Sequence, residues 1–431
     1  MSALTRRALV VIATGAGLLL AVGCKSPPNR PDPEIAAAPT GPVPVGSHAP
    51  RAAESPLPAF TPGSTERGKQ LVAEFECHRC HQGTGLAAPQ LDQDCVRCHE
   101  QIATGKFKAS PAKLAKWKPH VMPYRDVPSL SAMGGRLRPA WVMDYLLHPH
   151  DLRPNLAPTM PRLKLSAEQA RDIATYLTSA GGDSPPMAEV NRDGASIGRG
   201  KRLMLQRGCT GCHEMGGAGF SAPAKTDPVA RTLGLAPDLR FVRWRAEPSA
   251  VLRWLLDPTK VKHDSAMPSL QLGLQDAHDL AAFVSFGELE PPPAPPPVAR
   301  LPVLGRKVGF EEVNERVFAV TCRHCHTNPD SANGDGGPGN TGGFGFKSRK
   351  IDFSSYEGIQ SGGIDASGQR VSLFTKTSEG LPLLVAALIA RVREDHRVVS
   401  DEVRGMPLGL PPLSAEQIQL VESWVEQGRP L

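Results

Sequence analysis

The sequence has few aromatic side chains and lacks the common catalytic motifs. Phe, Trp and Tyr make up 5% of the 431 residues, although aromatic side chains usually supply much of the buried area of a core. No phosphate-binding loop, dinucleotide-binding glycine motif or hydrolase motif is present. The apolar run over residues 8–22 is too short to span a bilayer comfortably. The chain therefore needs something besides its own aromatic residues to fill its cores.

No cysteine is left over for a structural disulfide. Of the nine cysteines, eight fall in four Cys-x-x-Cys-His motifs, where chance would give far fewer than one. The motifs contain Cys77 and Cys80, Cys95 and Cys98, Cys209 and Cys212, and Cys322 and Cys325, and they end at His81, His99, His213 and His326.

The spacing within each motif predicts covalent haem attachment. Two thiols on one side of a helical turn add to the two vinyl groups of a haem, and the adjacent imidazole binds the iron. A zinc site or a thioredoxin-like pair also uses Cys-x-x-Cys, but each leaves the following His unexplained. The sequence therefore predicts four covalently bound haem c groups, which also account for the shortage of aromatic residues.

The N-terminus predicts export. Arg6 and Arg7 precede the apolar run, which ends in small residues and Cys24, and this order resembles a bacterial lipoprotein signal with Cys24 as the lipidated residue. An ordinary cleaved signal or a retained anchor remains an alternative. All three fit haem attachment outside the cytoplasm, and Lys25 after the lipidated position favours the outer membrane. We expect a protein of the cell envelope, either a periplasm-facing or an outer-membrane lipoprotein.

The basic balance of the sequence does not indicate a nucleic-acid partner. The formal net charge is +6, but it includes the two arginines of the signal and omits the haem propionates. With both corrections the charge of the holoprotein falls to about zero or slightly below, too little to attract nucleic acid.

Proline-rich segments and an internal repeat divide the chain. Arg67-Gly68-Lys69 before the first haem motif matches Arg199-Gly200-Lys201 before the third, and PSL at 128–130 matches PDL at 237–239. The first copy is longer, and the second haem motif lies in its extra segment. The predicted divisions are a signal peptide (1–24), a Pro/Ala-rich tether (25–62), a dihaem domain (63–182), a monohaem domain (194–288), a Pro-rich linker (289–305) and a C-terminal monohaem domain (306–431).

Three Met-Pro pairs stand in the same place relative to three of the haem motifs. Met160, Met267 and Met406 each precede an amphipathic helical pattern, and the letters LSAEQ at 165–169 recur at 413–417. Here the chain resembles the class I cytochromes c over most of residues 64–431. The resemblance implies an all-α fold of three tandem haem-centred domains, with His81 and Met160, His213 and Met267, and His326 and Met406 as axial pairs. It also implies that the carbonyls of Pro89 and Pro223 orient the proximal imidazoles.

Two axial positions leave alternatives open. His396 competes with Met406, although the helix after Met406 favours the methionine. The haem at residues 95–99 has no remaining Met-Pro pair that is followed by a helical pattern, and we expect His120 to be its sixth ligand because that residue lies close to the inserted segment. His148, His150, Met122 and an open site are the alternatives.

These assignments predict an electron carrier. Thioether ligation raises the reduction potential of a haem relative to two histidines. We therefore expect exchange of electrons with small cytochromes and with a terminal oxidase or reductase, and a lipid anchor in the membrane. A haem peroxidase or an oxidoreductase for a small inorganic substrate, with an open site at the Cys95 and Cys98 haem, is the alternative. A structural or redox-sensing lipoprotein is a third reading.

Overall fold

The computed structural model describes most of the chain beyond the tether, and its described residues lie in one compact unit within 38–431. They are residues 57, 59–121, 127–149, 152–154, 156, 159–179, 189–215, 234–289, 299–330, 336–396 and 398–431. The predicted signal, Cys24, most of the tether and most of the Pro-rich linker lie outside them. Among the described helices, none has the length and apolarity needed to cross a membrane. The described chain is mostly helical, in agreement with the expected all-α class.

The first part of the chain is held together by its first and last helices. Its helices are α1 (Thr65–Glu74), α2 (Cys95–Thr104), α3 (Pro111–Val121), α4 (Pro139–Leu147) and α5 (Ala167–Ser179). The Ser64 side chain caps α1 by accepting from the backbone N–H of Arg67. Helix α1 packs against α5, and α4 also packs against α5.

The second part repeats this arrangement. Its helices are α6 (Gly194–Gln206), α7 (Val242–Arg245), α8 (Pro248–Leu256), α9 (Pro258–Val261) and α10 (Leu274–Phe286). Helix α6 packs against α10 as α1 does against α5. The Asp193 side chain caps α6 through the backbone N–H of Ser196, and α8 begins with a proline in its first turn, as α4 does.

The third part adds a short sheet to the same scheme. It contains α11 (Phe310–Val313), which continues as a π-helical segment (Asn314–Cys322), then α12 (Tyr356–Gln360), α13 (Leu383–Asp395) and α14 (Ala415–Glu426). Strands β1 (Gly363–Ile364) and β2 (Arg370–Val371) pair antiparallel between α12 and α13, with Gly363 opposite Val371. Ser414 and Gln417 form a capping box at the start of α14. The two small strands are an addition that the sequence had not indicated.

Three hydrophobic clusters follow one another along the chain. Leu71, Trp141 and Ile173 belong to the first, Leu252 and Phe283 to the second, and a third surrounds Phe318 and Trp424. Phe318 meets the Trp424 ring edge-on, with 5.7 Å between centroids. The clusters fall within the three predicted haem domains, whose boundaries remain predictions.

Candidate functional site

Three of the haem motifs have the same backbone geometry. The N–H groups of His81, His213 and His326 donate to the carbonyls of the first cysteine of each motif at 2.9, 3.0 and 3.0 Å. The first and third motifs form a 3-10 turn at Cys77–Arg79 and at Cys209–Gly211, directly after α1 and α6. Such a turn places both thiols and the imidazole on one side, as thioether attachment requires.

The second motif is built differently. Cys95 begins helix α2, and the Asp94 side chain caps that helix by accepting from Arg97 N–H. In the first and third motifs a helix comes before the cysteines, whereas here the helix starts with them. This difference fits an inserted haem segment rather than another copy of the repeat.

Proline carbonyls orient two of the proximal histidines. His81 Nδ1 lies 2.7 Å from the Pro128 carbonyl oxygen, and His213 Nδ1 lies 2.9 Å from that of Pro237. A carbonyl oxygen only accepts, so Nδ1 carries the proton in both rings and Nε2 is left with its lone pair for a metal.

The prediction that the Pro89 carbonyl orients the His81 imidazole was wrong. The Pro89 carbonyl accepts from Arg97 Nη2 at 2.6 Å instead, and Pro223 lies outside the described residues. The sequence did hold a signal for the correct pair, because Pro128 and Pro237 open the repeated PSL and PDL triplets. A proline that recurs at the same place in both copies was a better indicator than a proline close to the motif.

The proximal imidazoles are held neutral. Burial lowers the pKa of His81 and of His213, with the proline carbonyls acting in the opposite direction. Burial also lowers the pKa of His326 to about 4 and, together with His324, that of His99 to about 4. Neutral imidazole is the form that binds a metal.

The cysteines are free thiols in hydrophobic or crowded surroundings. None of the eight described cysteines forms a disulfide. Burial raises the pKa of Cys77 to about 11 and those of Cys322 and Cys325 to about 12. Among the residues with a described placement, no group of three or more His, Cys, Asp or Glu is arranged to hold a metal ion. The alternative of a zinc site built from these cysteines therefore has no ligand set there.

Two of the three predicted methionine ligands have hydrogen bonds that fix their positions. Trp254 Nε1 donates to the sulfur of Met267 at 2.9 Å, and Ser265 Oγ accepts from the Met267 N–H at 3.2 Å. The Met406 N–H donates to the Ala387 carbonyl on α13 at 2.9 Å. These contacts restrict where the two thioethers lie.

Met160 lines a small cleft between the first and third parts. His148 lies in the same cleft, beside Arg391 and Glu394 of α13. The three methionines are partly buried. The axial pairing itself remains a prediction.

Three of the haem motifs come together around one arginine. Arg79, within the first motif, donates from Nε to the Gln93 carbonyl at 3.0 Å and forms an ion pair with Glu76 at 3.0 Å. Its charge also reaches Cys95 of the second motif and Cys325 of the fourth. The Cys80 thiol is hydrogen-bonded to the Cys95 sulfur, and this hydrogen bond is the main cause that lowers the pKa of Cys95 to about 7.

The fourth motif lies near Arg79 because the third part of the chain packs against the first part. Phe344 N–H donates to Glu76 Oε2 at 2.9 Å, and the Phe344 ring lies under the Arg79 guanidinium at 5.6 Å. Gly345 lies so close to Phe75 that a Cβ there would be 2.8 Å from its ring. The two ends of the haem-bearing chain are thus in direct contact.

The second part of the chain, which carries the third motif, contacts the first part separately. Arg138 N–H donates to the Arg245 carbonyl at 2.8 Å, and its side chain bonds to the Ala246 carbonyl and pairs with Glu247 at 2.9 Å. Asp238 N–H donates to the Leu152 carbonyl at 2.8 Å. The first part therefore contacts both of the others.

An arginine at this contact fits the acidic edge of a haem. Arg245 Nε is buried without a hydrogen-bond partner among the described residues. Desolvation, with Arg136 and Arg153 nearby, lowers the pKa of Arg245 to about 10. A buried cation requires an anionic partner, and a haem brings two propionates. The free thiols, the neutral imidazoles and this guanidinium together form a donor set that fits covalently bound haem.

The predicted ligands of the second haem lie in different surroundings. His120, on α3, is exposed, and α3 packs against α2, which carries His99. His148 is exposed and lies 3.8 Å from Asp144, while Met122 and His150 lie outside the described residues. His396, the rival of Met406, follows the end of α13 and is partly buried. The choice among these residues remains open on their positions alone.

Comparison with known proteins agrees with one of the predicted domains. The cytochrome c family model matches residues 197–286. No curated protein and no solved structure matches the chain. The chain thus contains a cytochrome c domain that holds the third motif, which implies covalently bound haem c and suggests haem-based electron transfer.

Proposed function

We propose that this protein is a tetrahaem c-type cytochrome that carries electrons between redox partners at the cell envelope. The observation that carries the proposal is the meeting of the first, second and fourth motifs around Arg79. Haems bound there lie beside one another, so an electron on any of them has a neighbour to move to. The contact at Arg138 joins the part of the chain that carries the third motif to the first part.

The chain offers a defined set of residues for each haem. The thioethers form at the paired cysteines, and Nε2 of His81 and His213 faces the iron because Nδ1 donates to Pro128 and Pro237. When bound, the haem supplies a one-electron ferric/ferrous couple. The proposed distal ligands of the first, third and fourth haems are Met160, Met267 and Met406.

Ligation by methionine makes three of the haems high-potential carriers. Thioether sulfur stabilises ferrous iron more than a second imidazole does, which suits exchange with small cytochromes, a terminal oxidase or a periplasmic reductase. Lipidation at Cys24 and the Pro/Ala-rich tether would keep the protein near membrane-bound partners and raise its effective concentration there. No substrate-converting step is part of the proposal.

The haem count is the first test. We expect the intact mass of the holoprotein, produced with a c-type maturation system, to exceed that of the polypeptide by four haems. Replacing both cysteines of one motif by Ala, in four separate variants, is expected to remove one haem each time. A mass with fewer than four haems in the unaltered protein contradicts the tetrahaem proposal.

A redox titration tests the carrier role. Most of the absorbance change is expected at high potential, and Met267→His is expected to lower the potential of one haem while leaving the haem count at four. The matched control is Met204→Leu, a buried methionine of the second hydrophobic cluster that is not one of the proposed haem ligands. Bis-histidine spectra for all four haems contradict the high-potential part of the proposal.

A further inference from the structure

The second haem has a proximal histidine, and the one methionine considered as its ligand, Met122, lies outside the described residues. The inserted segment that carries Cys95, Cys98 and His99 has no Met-Pro pair followed by a helix. Its helix α2 and the neighbouring α3 pack on each other, and His120 on α3 is exposed. A distal ligand must come from one of the surfaces that face His99.

One imidazole from a distant part of the chain lies beside that of His99. His324 lies within the fourth motif, between Cys322 and Cys325, and its ring centroid is 6.1 Å from that of His99, with 48° between the ring planes. Two imidazoles that bind one metal from opposite sides, with metal–nitrogen bonds of about 2.0–2.1 Å, have centroids about 6 Å apart. The measured separation agrees with that value.

The surroundings of His324 suit a residue that lines a haem crevice. The His324 side chain lies near Arg79, and the residue is exposed. The two sets of cysteines are also close, since Cys95 acts electrostatically on Cys325. The backbone fixes the loop, because Gly337, with φ of 81°, packs against the His324 carbonyl so closely that a Cβ there would be 2.4 Å from that oxygen.

We propose that His324 is the distal axial ligand of the haem attached at Cys95 and Cys98. The iron would then join the first and third parts of the chain, with His99 from one and His324 from the other. The inference rests on the proposed function, since it requires a haem at the second motif. It gives that haem two histidine ligands and a lower potential than its methionine-bound neighbours.

The assignment also closes the site on which the enzyme alternative depends. A peroxidase needs an open iron face with acid or base groups beside it, and His324 occupies that face. His324 belongs to the loop that carries the fourth haem, so the second and fourth haems become immediate neighbours.

Low-temperature EPR of the oxidised tetrahaem holoprotein tests the assignment. His324→Ala is expected to convert one haem from low spin to high spin, while the haem count by intact mass stays at four. The matched controls are Arg323→Ala, the exposed neighbour in the same motif, and His120→Ala, the rival ligand. Neither control is expected to change the spin state of any haem.

A second substitution keeps the test decisive if the alanine variant fails to mature. His324→Met preserves a ligand and is expected to replace one bis-histidine signal with a His/Met signal and to raise one midpoint potential. A bis-histidine signal that persists in His324→Met, or a high-spin haem that arises in His120→Ala, overturns the assignment. A haem count below four in the unaltered protein is a different result, since it defeats the proposed function first.

Discussion

At the residue scale, one buried carboxylate joins the two helices that frame the central haem site. The Asp279 side chain on α10 is 2% exposed and receives two hydrogen bonds from Arg199 on α6, at 2.6 and 2.9 Å. Gln275 adds a third at 3.1 Å. A paired arginine fork of this kind is directional and holds the helices in register.

Asp279→Asn is expected to destabilise the central domain by about 1–3 kcal/mol at pH 7, because an amide replaces a buried charge that accepts three bonds. The Arg199 hydrogen bond is the main cause of the lowered pKa of Asp279. The ionised Asp279 side chain therefore contributes to folding stability above the ordinary aspartate pKa, and this contribution is lost as the pH falls through the lowered pKa. The difference between variant and parent is expected to shrink at acid pH, as measured by denaturant titrations of the holoprotein at pH 7 and pH 3.

A second aspartate on the same helix provides the control. Asp276 also pairs with an arginine, Arg207, which directly follows α6. The two side chains are 2.7 Å apart, but both are partly exposed. Exposed pairs contribute little, so Asp276→Asn is expected to have a much smaller effect. Equal losses in the two variants would contradict the role assigned to burial.

At the scale of elements, the repeated Arg-Gly-Lys triplet has a steric reason. Gly68 of α1 lies against α5, where a Cβ would be 2.1 Å from the Asp172 carbonyl oxygen, and Gly200 of α6 lies against α10, where a Cβ would be 2.0 Å from the Asp279 carbonyl oxygen. Real Cβ atoms do not approach a carbonyl this closely. Each pair of helices crosses at a point that only glycine permits.

Gly200→Ala is expected to destabilise the holoprotein by about 1–3 kcal/mol, because the added methyl group forces apart two packed helices. Gly198→Ala, two residues earlier in α6, meets nothing closer than Arg202 Nη1 at 3.9 Å. That control is expected to stabilise the helix by about 1 kcal/mol through its better helix propensity. Thermal unfolding of both variants measures the difference, and a neutral Gly200→Ala would show that the crossing is not tight.

The second motif shows which features of an element can be predicted from sequence and which cannot. The repeat analysis placed this motif in an insertion, and α2 does begin at Cys95 rather than end before it. Asp94, an ordinary N-cap residue, is the local cause and could be read from sequence. The residues that α2 contacts could not be read from sequence, because the ring beside His99 belongs to a residue more than two hundred positions away.

At the scale of the whole molecule, the first part of the chain contacts both of the others. One contact joins Glu76 and Arg79 to Phe344. The other joins Arg138 to residues 245–247. The first part of the chain therefore contacts the third part directly, although the second part separates them in the sequence.

Arg138→Ala is expected to weaken the contact between the first and second parts by about 1 kcal/mol, chiefly through the lost hydrogen bond to the Ala246 carbonyl. Its ion pair with Glu247 is largely exposed and adds little. Scanning calorimetry of the holoprotein is expected to show a lower or broader first transition. Arg306→Ala is the control, since Arg306 pairs with Glu312 inside the third part, and identical traces for the two variants would argue against the contact.

The sequence alone determined the chemistry that is carried by adjacent residues. Four Cys-x-x-Cys-His motifs, three Met-Pro pairs that are followed by helical patterns, and the repeated triplets are local patterns, and a turn or a helix brings their members together whatever the rest of the chain does. Only the tertiary structure decided which residues meet from far apart. In the structure, His81 donates a hydrogen bond to the carbonyl of Pro128 rather than to that of Pro89, and the His324 ring lies beside that of His99. Such contacts depend on how separate helices and loops pack. Packing follows shape and buried area, which short-range sequence patterns do not contain.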